Sequence, residues 1–296
     1  MSEALQNICT WLPEIEMARD SKVLVFGVTH LDIDILPTLY DVLSEMQPIK
    51  RLDVVVHCRG GDITAARRIA GLLEENCEQL GFIVPFYCQS AGTIMTLAAD
   101  EIITGSAAVF SPIDPQLQGA SDATGGGQPA ISAEDIRCFK DLCLDWFNAE
   151  QNDAGDLALA SLTSSIFPTT LTSFYRAVQE TKTICTDLLS LRDNRFDEAM
   201  KKAIVDRLLF GFFSHGYPIS GQEMRALGLP VRSDSDVENI SWKISAIIRK
   251  IIGAGMRHSP EDDWTDTLLA TDSKVWMRRK TKTFLSPVWS EVSLTS

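Results

Sequence analysis

The stretch Phe82-Ile83-Val84-Pro85-Phe86-Tyr87-Cys88-Gln89-Ser90-Ala91-Gly92-Thr93 decides how this chain is read. Its first half is apolar and aromatic, the composition of a short buried strand over 82–87. Its second half opens a run of small apolar residues, ending at Ala99, that suits a buried helix. A serine between small residues at such a strand-to-helix corner has a physical use. The corner pushes the hydroxyl outward, and the helix start directs unpaired N–H groups and a positive dipole end towards it. The Gly-x-Ser-x-Gly form of a nucleophile elbow is absent, and a serine that caps the helix is the competing role.

Upstream, Leu52-Asp53-Val54-Val55-Val56-His57-Cys58 reads as another strand, running into Arg59-Gly60-Gly61-Asp62-Ile63. Paired glycines let backbone N–H groups approach a substrate oxygen with no Cβ in the way. Asp62 is placed to cap a helix over 63–80. Two successive strand–turn–helix units therefore offer backbone donors at their strand ends. The Gly61 and Ala91 N–H groups are candidates to hold an oxyanion beside Ser90 Oγ, with Arg59, Gly60 and Gly92 as candidate substrate contacts. An ordinary tight turn is the plainer reading of the glycines taken alone.

These blocks, followed by Ala98-Ala99-Asp100-Glu101-Ile102 and Ser111-Pro112-Ile113-Asp114-Pro115-Gln116, resemble the Clp protease and crotonase superfamily. Within it they are most similar to the serine dehydrogenase proteinase family, related to signal peptide peptidase A. His215-Gly216-Tyr217-Pro218-Ile219-Ser220, with Glu223 and Leu227-Gly228-Leu229-Pro230-Val231, resembles the same family. The likeness runs over residues 22–231. It implies an α/β fold: a Clp/crotonase-like spiral of ββα units with additional C-terminal helices. It also implies a serine peptidase that needs no metal or cofactor and acts on a peptide or protein substrate. A peptidase domain is expected over 1–231 and a helical extension and tail over 232–296.

Ser90 is a weak nucleophile until a base takes its proton. Lys140 is one candidate, on the helix expected after the Gly-rich loop; the related signal peptide peptidase A uses a serine–lysine dyad. A lysine serves only if burial lowers its pKa. His215 is the other, in a Gly- and Pro-bounded loop, and imidazole is the natural base at neutral pH. In Clp protease subunits the segment matching His215 supplies the aspartate, and the segment carrying the histidine here carries Asp114, so the Clp pattern is not conveyed intact. Asp114 either orients Lys140 or His215 or fixes its own Pro-bounded turn. His57, at a strand end, reads as structural. Arg59 either binds a substrate carboxylate or pairs with Asp62.

The remaining elements follow from periodicity. Residues 22–28 form a first strand, 32–46 and 132–147 amphipathic helices, and 101–104 and 107–110 strands. Strands alternating with helices at this spacing predict parallel βαβ units. A helix over 5–18 is expected to be interrupted near Pro13. The Gly-rich 119–129 stretch reads as a mobile loop just past the site, either a substrate-side lid or a plain surface linker, 155–209 as helices broken at Pro168 and near Asn194, and 237–252 as a helix. Arg278-Arg279-Lys280-Thr281-Lys282 is a short basic run that either grips an acidic neighbour or, as such runs more often do, forms a solvated tail.

Lys and Arg number 27 against 40 Asp and Glu, a net charge of −13, which argues against nucleic acid or an anionic membrane as partner. Seven cysteines with no C-x-x-C pair indicate reduced thiols and a cytoplasmic setting. Neither a signal peptide nor an apolar run of membrane-spanning length is apparent. A homo-oligomer is implied by the resemblance, and sequestration within it, or a partner that activates or delivers substrate, is expected. The rival readings are a crotonase-like acyl-CoA enzyme and a catalytically idle scaffold subunit.

Overall fold

The computed structural model describes residues 2–117, 131–151, 153–191, 195–252, 263–280 and 288–292. The 119–129 stretch, expected as a loop, lies outside the described residues, as does Asn194.

Helix α1 (Ser2–Arg19) leads into β1 (Lys22–Val28). Leu5, Ile8, Leu12 and Ile15 make one buried stripe, while Pro13 faces solvent. The helix runs through Pro13 without the expected break, because packing of that stripe offsets the single lost hydrogen bond. A 3-10 turn (Ile33–Ile35), capped by Asp32, precedes α2 (Leu36–Met46) where one helix was expected. Next come β2 (Arg51–Cys58) and α3 (Ile63–Glu75). The Asp62 carboxylate accepts from Thr64 and Ala65 N–H, as its place in the sequence predicts. However, α3 stops at Glu75, short of the expected residue 80, because Gln79 already pairs with Arg51 in β3 (Gln79–Val84). The order continues with β4 (Tyr87–Cys88), the short α4 (Ala91–Met95) passing into a 3-10 turn (Thr96–Ala98), β5 (Glu101–Thr104) and β6 (Val109–Phe110).

The small strands β7 (Gln116–Leu117) and β8 (Ile131–Ser132) pair with each other ahead of α5 (Ala133–Asp145), whose capping box joins Ser132 and Asp135. Three helices follow: α6 (Ala154–Ser165), α7 (Pro168–Leu189) and α8 (Glu198–Phe210). The short α9 (Gly221–Ala226) leads to β9 (Val231–Arg232), and α10 (Ser235–Ile251) comes next. The end of the chain departs from expectation. Instead of a tail it forms three strands, β10 (Trp264–Ala270), β11 (Val275–Lys280) and β12 (Val288–Glu291).

The main sheet runs β12-β11-β10-β1-β2-β3-β5-β9. Strands β1, β2, β3, β5 and β9 are mutually parallel, as right-handed crossover units require; β10 to β12 add antiparallel on the β1 side. The sheet therefore crosses the boundary expected at residue 231. Strand alternation divides the core into two layers. Leu24, Phe26 and Val28 face α2, α3, α4, α7 and α8, whereas Val23 and Val25 face α1 and α10. Beyond the carboxyl ends of the long strands, β4 pairs with the tip of β2 and with β6, a second small layer that carries Ser90.

Candidate active site

Cys58 on β2 is in register with Cys88 on β4, which brings the two turns leaving these strands side by side. One is the Gly60-Gly61 turn, the other the Gln89-Ser90 corner. Gly60 and Gly61 take φ of 117° and 138°. A Cβ on Gly60 would stand 3.1 Å from Ser90 Cβ, and one on Gly61 would stand 2.3 Å from the Leu31 backbone nitrogen. Glycine is thus required twice, first to leave room against Ser90 and then to pack on Leu31. The Leu31 N–H donates to Gly60 O at 2.8 Å and the Asp62 N–H to Leu31 O at 2.9 Å. Neither bond uses the Gly61 N–H, and no described residue accepts from it or from Ala91 N–H. Both donors remain available to an oxyanion.

Ser90 sits at φ 51° and ψ −116°, with its hydroxyl making no capping bond to α4. The helix-cap role that competed for this residue is therefore not the one it adopts. Its backbone N–H donates to Ser111 Oγ at 2.8 Å, and Thr93 Oγ1 donates to Ser111 O at 3.1 Å, so the corner is tied to the 111–114 segment. Three residues on, Asp114 is buried, and its Oδ1 lies 2.7 Å from His215 Nδ1 across 101 residues of sequence. A backbone bridge between Phe110 and Ile219 holds the two loops together. Since a carboxylate only accepts, Nδ1 carries the proton and Nε2 keeps the lone pair of a base. Asp114 Oδ2 is buried without a partner among the described residues. Of the roles open to Asp114, orienting His215 is the one its contacts match.

Other candidates are placed differently. Lys140 is exposed on α5, so the burial that a lysine base depends on is not met. Gly92 is buried in α4 and faces the Cys58 and Cys88 sulfurs, not a substrate. Arg59 does not pair with Asp62; its guanidinium lies over the Tyr87 ring, 4.7 Å from the centroid. His57 is buried, and burial together with the charges of Arg59 and Arg249 pushes its pKa down to about 4. Burial pushes the Cys58 thiol up to about 12 and raises Cys88 as well, so neither sulfur competes with Ser90 as a nucleophile. All seven cysteines are free thiols. No group of His, Cys, Asp and Glu suited to a metal ion occurs among the described residues. The sequence missed Ser111, whose hydroxyl steadies the corner; nothing local marks it.

Residues 31–125 match the family of ClpP-like SDH-type serine proteinases. The resemblance read from the sequence is therefore shown over the segment that holds both glycines, Ser90 and Asp114. The uncharacterized protein MJ0137 of Methanocaldococcus jannaschii is 30% identical over 216 residues, 72% of this chain and 65% of that one. The uncharacterized protein MJ1495 of the same organism is 26% identical over 234 residues, 75% of this chain and 70% of that one. The chain thus spans just under two thirds of the first relative's length. Among solved structures, the 1510-N membrane-bound stomatin-specific protease is 15% identical, with 45% of this chain and 68% of that one covered at a TM-score of 0.32. An enoyl-CoA hydratase from Polaromonas sp. JS666 is 15% identical, with 77% and 74% covered at a TM-score of 0.37.

Proposed function

We propose that this chain is a serine peptidase in which Ser90 is the nucleophile and His215, oriented by Asp114, is the general base. The observation that carries the reading is the backbone of Ser90. A non-glycine residue is held at positive φ with its hydroxyl uncommitted, against a glycine turn with an open N–H. Such strain persists where the surroundings impose it, and at a strand-to-helix corner it presents a nucleophile. Ser90 Oγ adds to a peptide carbonyl carbon while its proton passes to His215 Nε2. The oxyanion accepts from Gly61 and Ala91 N–H. The C–N bond then breaks, His215 gives the proton to the leaving amine, and water hydrolyses the acyl-serine by the reverse proton route.

The proposal extends to setting and assembly. Free thiols favour a reducing, cytoplasmic location, and among the described residues no helix is long and apolar enough to cross a membrane. Trp146, Phe147, Phe167 and Tyr175 are exposed on and around α5–α7, apolar area of the kind a homo-oligomer covers. An oligomer or a partner protein that activates the site or delivers substrate would restrain the peptidase.

The test is intact mass after treatment with a fluorophosphonate. Wild type gains one adduct and Ser90→Ala gains none. His215→Ala and Asp114→Asn label about 10²- to 10⁴-fold more slowly. Loss in Lys140→Ala with retention in His215→Ala transfers the base role to lysine. An unlabelled wild type at every protein concentration sinks the peptidase reading and leaves the acyl-CoA enzyme or the scaffold.

A further inference from the structure

Two arginines at the carboxyl edge of the sheet have no acidic partner among the described residues, in a chain where acids outnumber bases. Arg59 precedes the glycine turn and is exposed. Arg249 lies in the last turn of α10, its guanidinium 4.5 Å from the Trp242 ring centre and 5.2 Å from that of Phe86. Phe86 and Tyr87 lie with ring centres 3.8 Å apart, so they form one aromatic ledge with Arg249 over one ring and Arg59 over the other. The close approach of α10 has a visible cause. A Cβ on Gly27 would meet Ile248 Cγ2 at 2.8 Å, and Gly27 is in register with His57. The bare backbone therefore lets the last turn of α10 settle over this end of the sheet.

Three acids of the neighbouring segments have other partners. Asp62 holds the start of α3, Asp234 pairs with Arg232, and Glu238 accepts from Ser106. Arg249 spends only its Nε–H, on Ser245 O. A guanidinium offers five donors, so most of those on the two side chains have no protein acceptor among the described residues. His57 adds a third unpaired group. It is 2% exposed, its ring meets Tyr87 edge-on at 5.8 Å, and its Nδ1 is buried with no partner among the described residues. A buried polar atom left unpaired is costly and calls for a reason. The dipole of α10 accounts for a cation in its last turn. It does not account for both arginines meeting on the same ledge beside His57.

We infer that Arg59 and Arg249, on the Phe86–Tyr87 ledge beside His57, recognise a carboxylate of the substrate next to the Ser90 site. The inference rests on the peptidase reading for the word substrate, but not for the carboxylate site itself. A planar carboxylate suits guanidinium forks, and the aromatic ledge holds the forks in place. The ligand chemistry has two sources, an acidic side chain near the scissile bond or the free C-terminus of a peptide.

The experiment uses the full chain with Ser90→Ala, which prevents turnover, and fluorescence anisotropy with labelled Ala-rich peptides. One pair places Glu or Gln at successive positions; the other ends in a free acid or an amide. The acid form binds about tenfold tighter in at least one pair, and the pair that responds identifies the source. The preference falls away in Arg59→Gln and in Arg249→Gln, and it weakens with added salt. Equal affinity within both pairs, no binding of any peptide, or a preference that survives both substitutions overturns the inference. Fluorophosphonate labelling of the Ser90 protein keeps the two questions apart. Acid preference without labelling retains the carboxylate site and discards the peptidase, and labelling without acid preference does the reverse.

Discussion

Ser90 holds a conformation, φ 51° and ψ −116°, that costs a residue with a Cβ about 1–3 kcal/mol. Glycine at the same place removes that strain at the expense of a more flexible unfolded chain. Ser90→Gly is therefore expected to gain about 1 kcal/mol in urea unfolding while losing fluorophosphonate labelling entirely. A variant less stable than wild type would mean that the corner is not strained. Gly61 presents the opposite case. A methyl there would drive into the Leu31 backbone, which cannot yield as a side-chain tip can, and φ 138° adds strain. Gly61→Ala should lower stability by at least about 2 kcal/mol and slow labelling of Ser90. Full labelling in a stable Gly61→Ala protein would remove Gly61 from the oxyanion site.

At the scale of elements, the terminal strands were the largest surprise. Arg278 is fully buried on β11, with its Nη1 and Nη2 bonded to the Asp32 carboxylate at 2.6 and 2.7 Å. Its Nε and Nη2 bond Asp266 at 2.9 and 2.7 Å. Burial disfavours both charges, but these pairs outweigh it and hold the Arg278 pKa raised and that of Asp32 lowered. Asp32 follows Leu31, whose backbone grips the glycine turn, so the hairpin reaches the candidate site through two residues. Arg278→Met removes the partner shared by two carboxylates, one of them fully buried. The expected loss is about 3–5 kcal/mol in chemical denaturation, moderated by Lys280, which lies 3.2 Å from Asp266. A loss under about 1 kcal/mol would show that the network contributes little. The sequence left an acidic neighbour open as the alternative to a solvated tail but could not name it, since one acid lies 246 residues away in the chain and the other is on the neighbouring strand. The pairing of His215 with Asp114 stood among the alternatives left open by the sequence, because 101 intervening residues hide which contact forms. By contrast, the parallel strands, the Asp62 cap and the helix from residue 132 were legible, because period, turn and cap are written within a few residues. Pro13 misled because a local helix-breaker was outweighed by a buried stripe that only the sheet could reward.

At the scale of the whole molecule, acid acts on stability through opposing effects. With a net charge of −13, lowering the pH from neutrality relieves self-repulsion and favours the compact state. Against this stand specific groups at both ends of the sheet. At the amino edge, hydrogen bonds and charge from Arg232 and Arg19 outweigh desolvation and hold the Glu101 pKa at about 2. At the carboxyl edge, burial pushes His57 to about 4. For both groups the folded state binds its proton less readily than the unfolded chain. The stability each contributes is complete above the unfolded pKa and is lost as the pH falls towards the folded one. The window for His57 runs from about 6.5 down to 4, above that of Glu101, which runs from about 4.5 down to 2. Comparing wild type with His57→Gln cancels the common background of charge repulsion. The difference in unfolding free energy should shift by about 2 kcal/mol against wild type between pH 7 and pH 5, then flatten below pH 4. A difference independent of pH over that interval would mean that His57 is protonated as easily folded as unfolded. Burial beside Arg59 and Arg249, which sets that window, would then not govern the His57 proton.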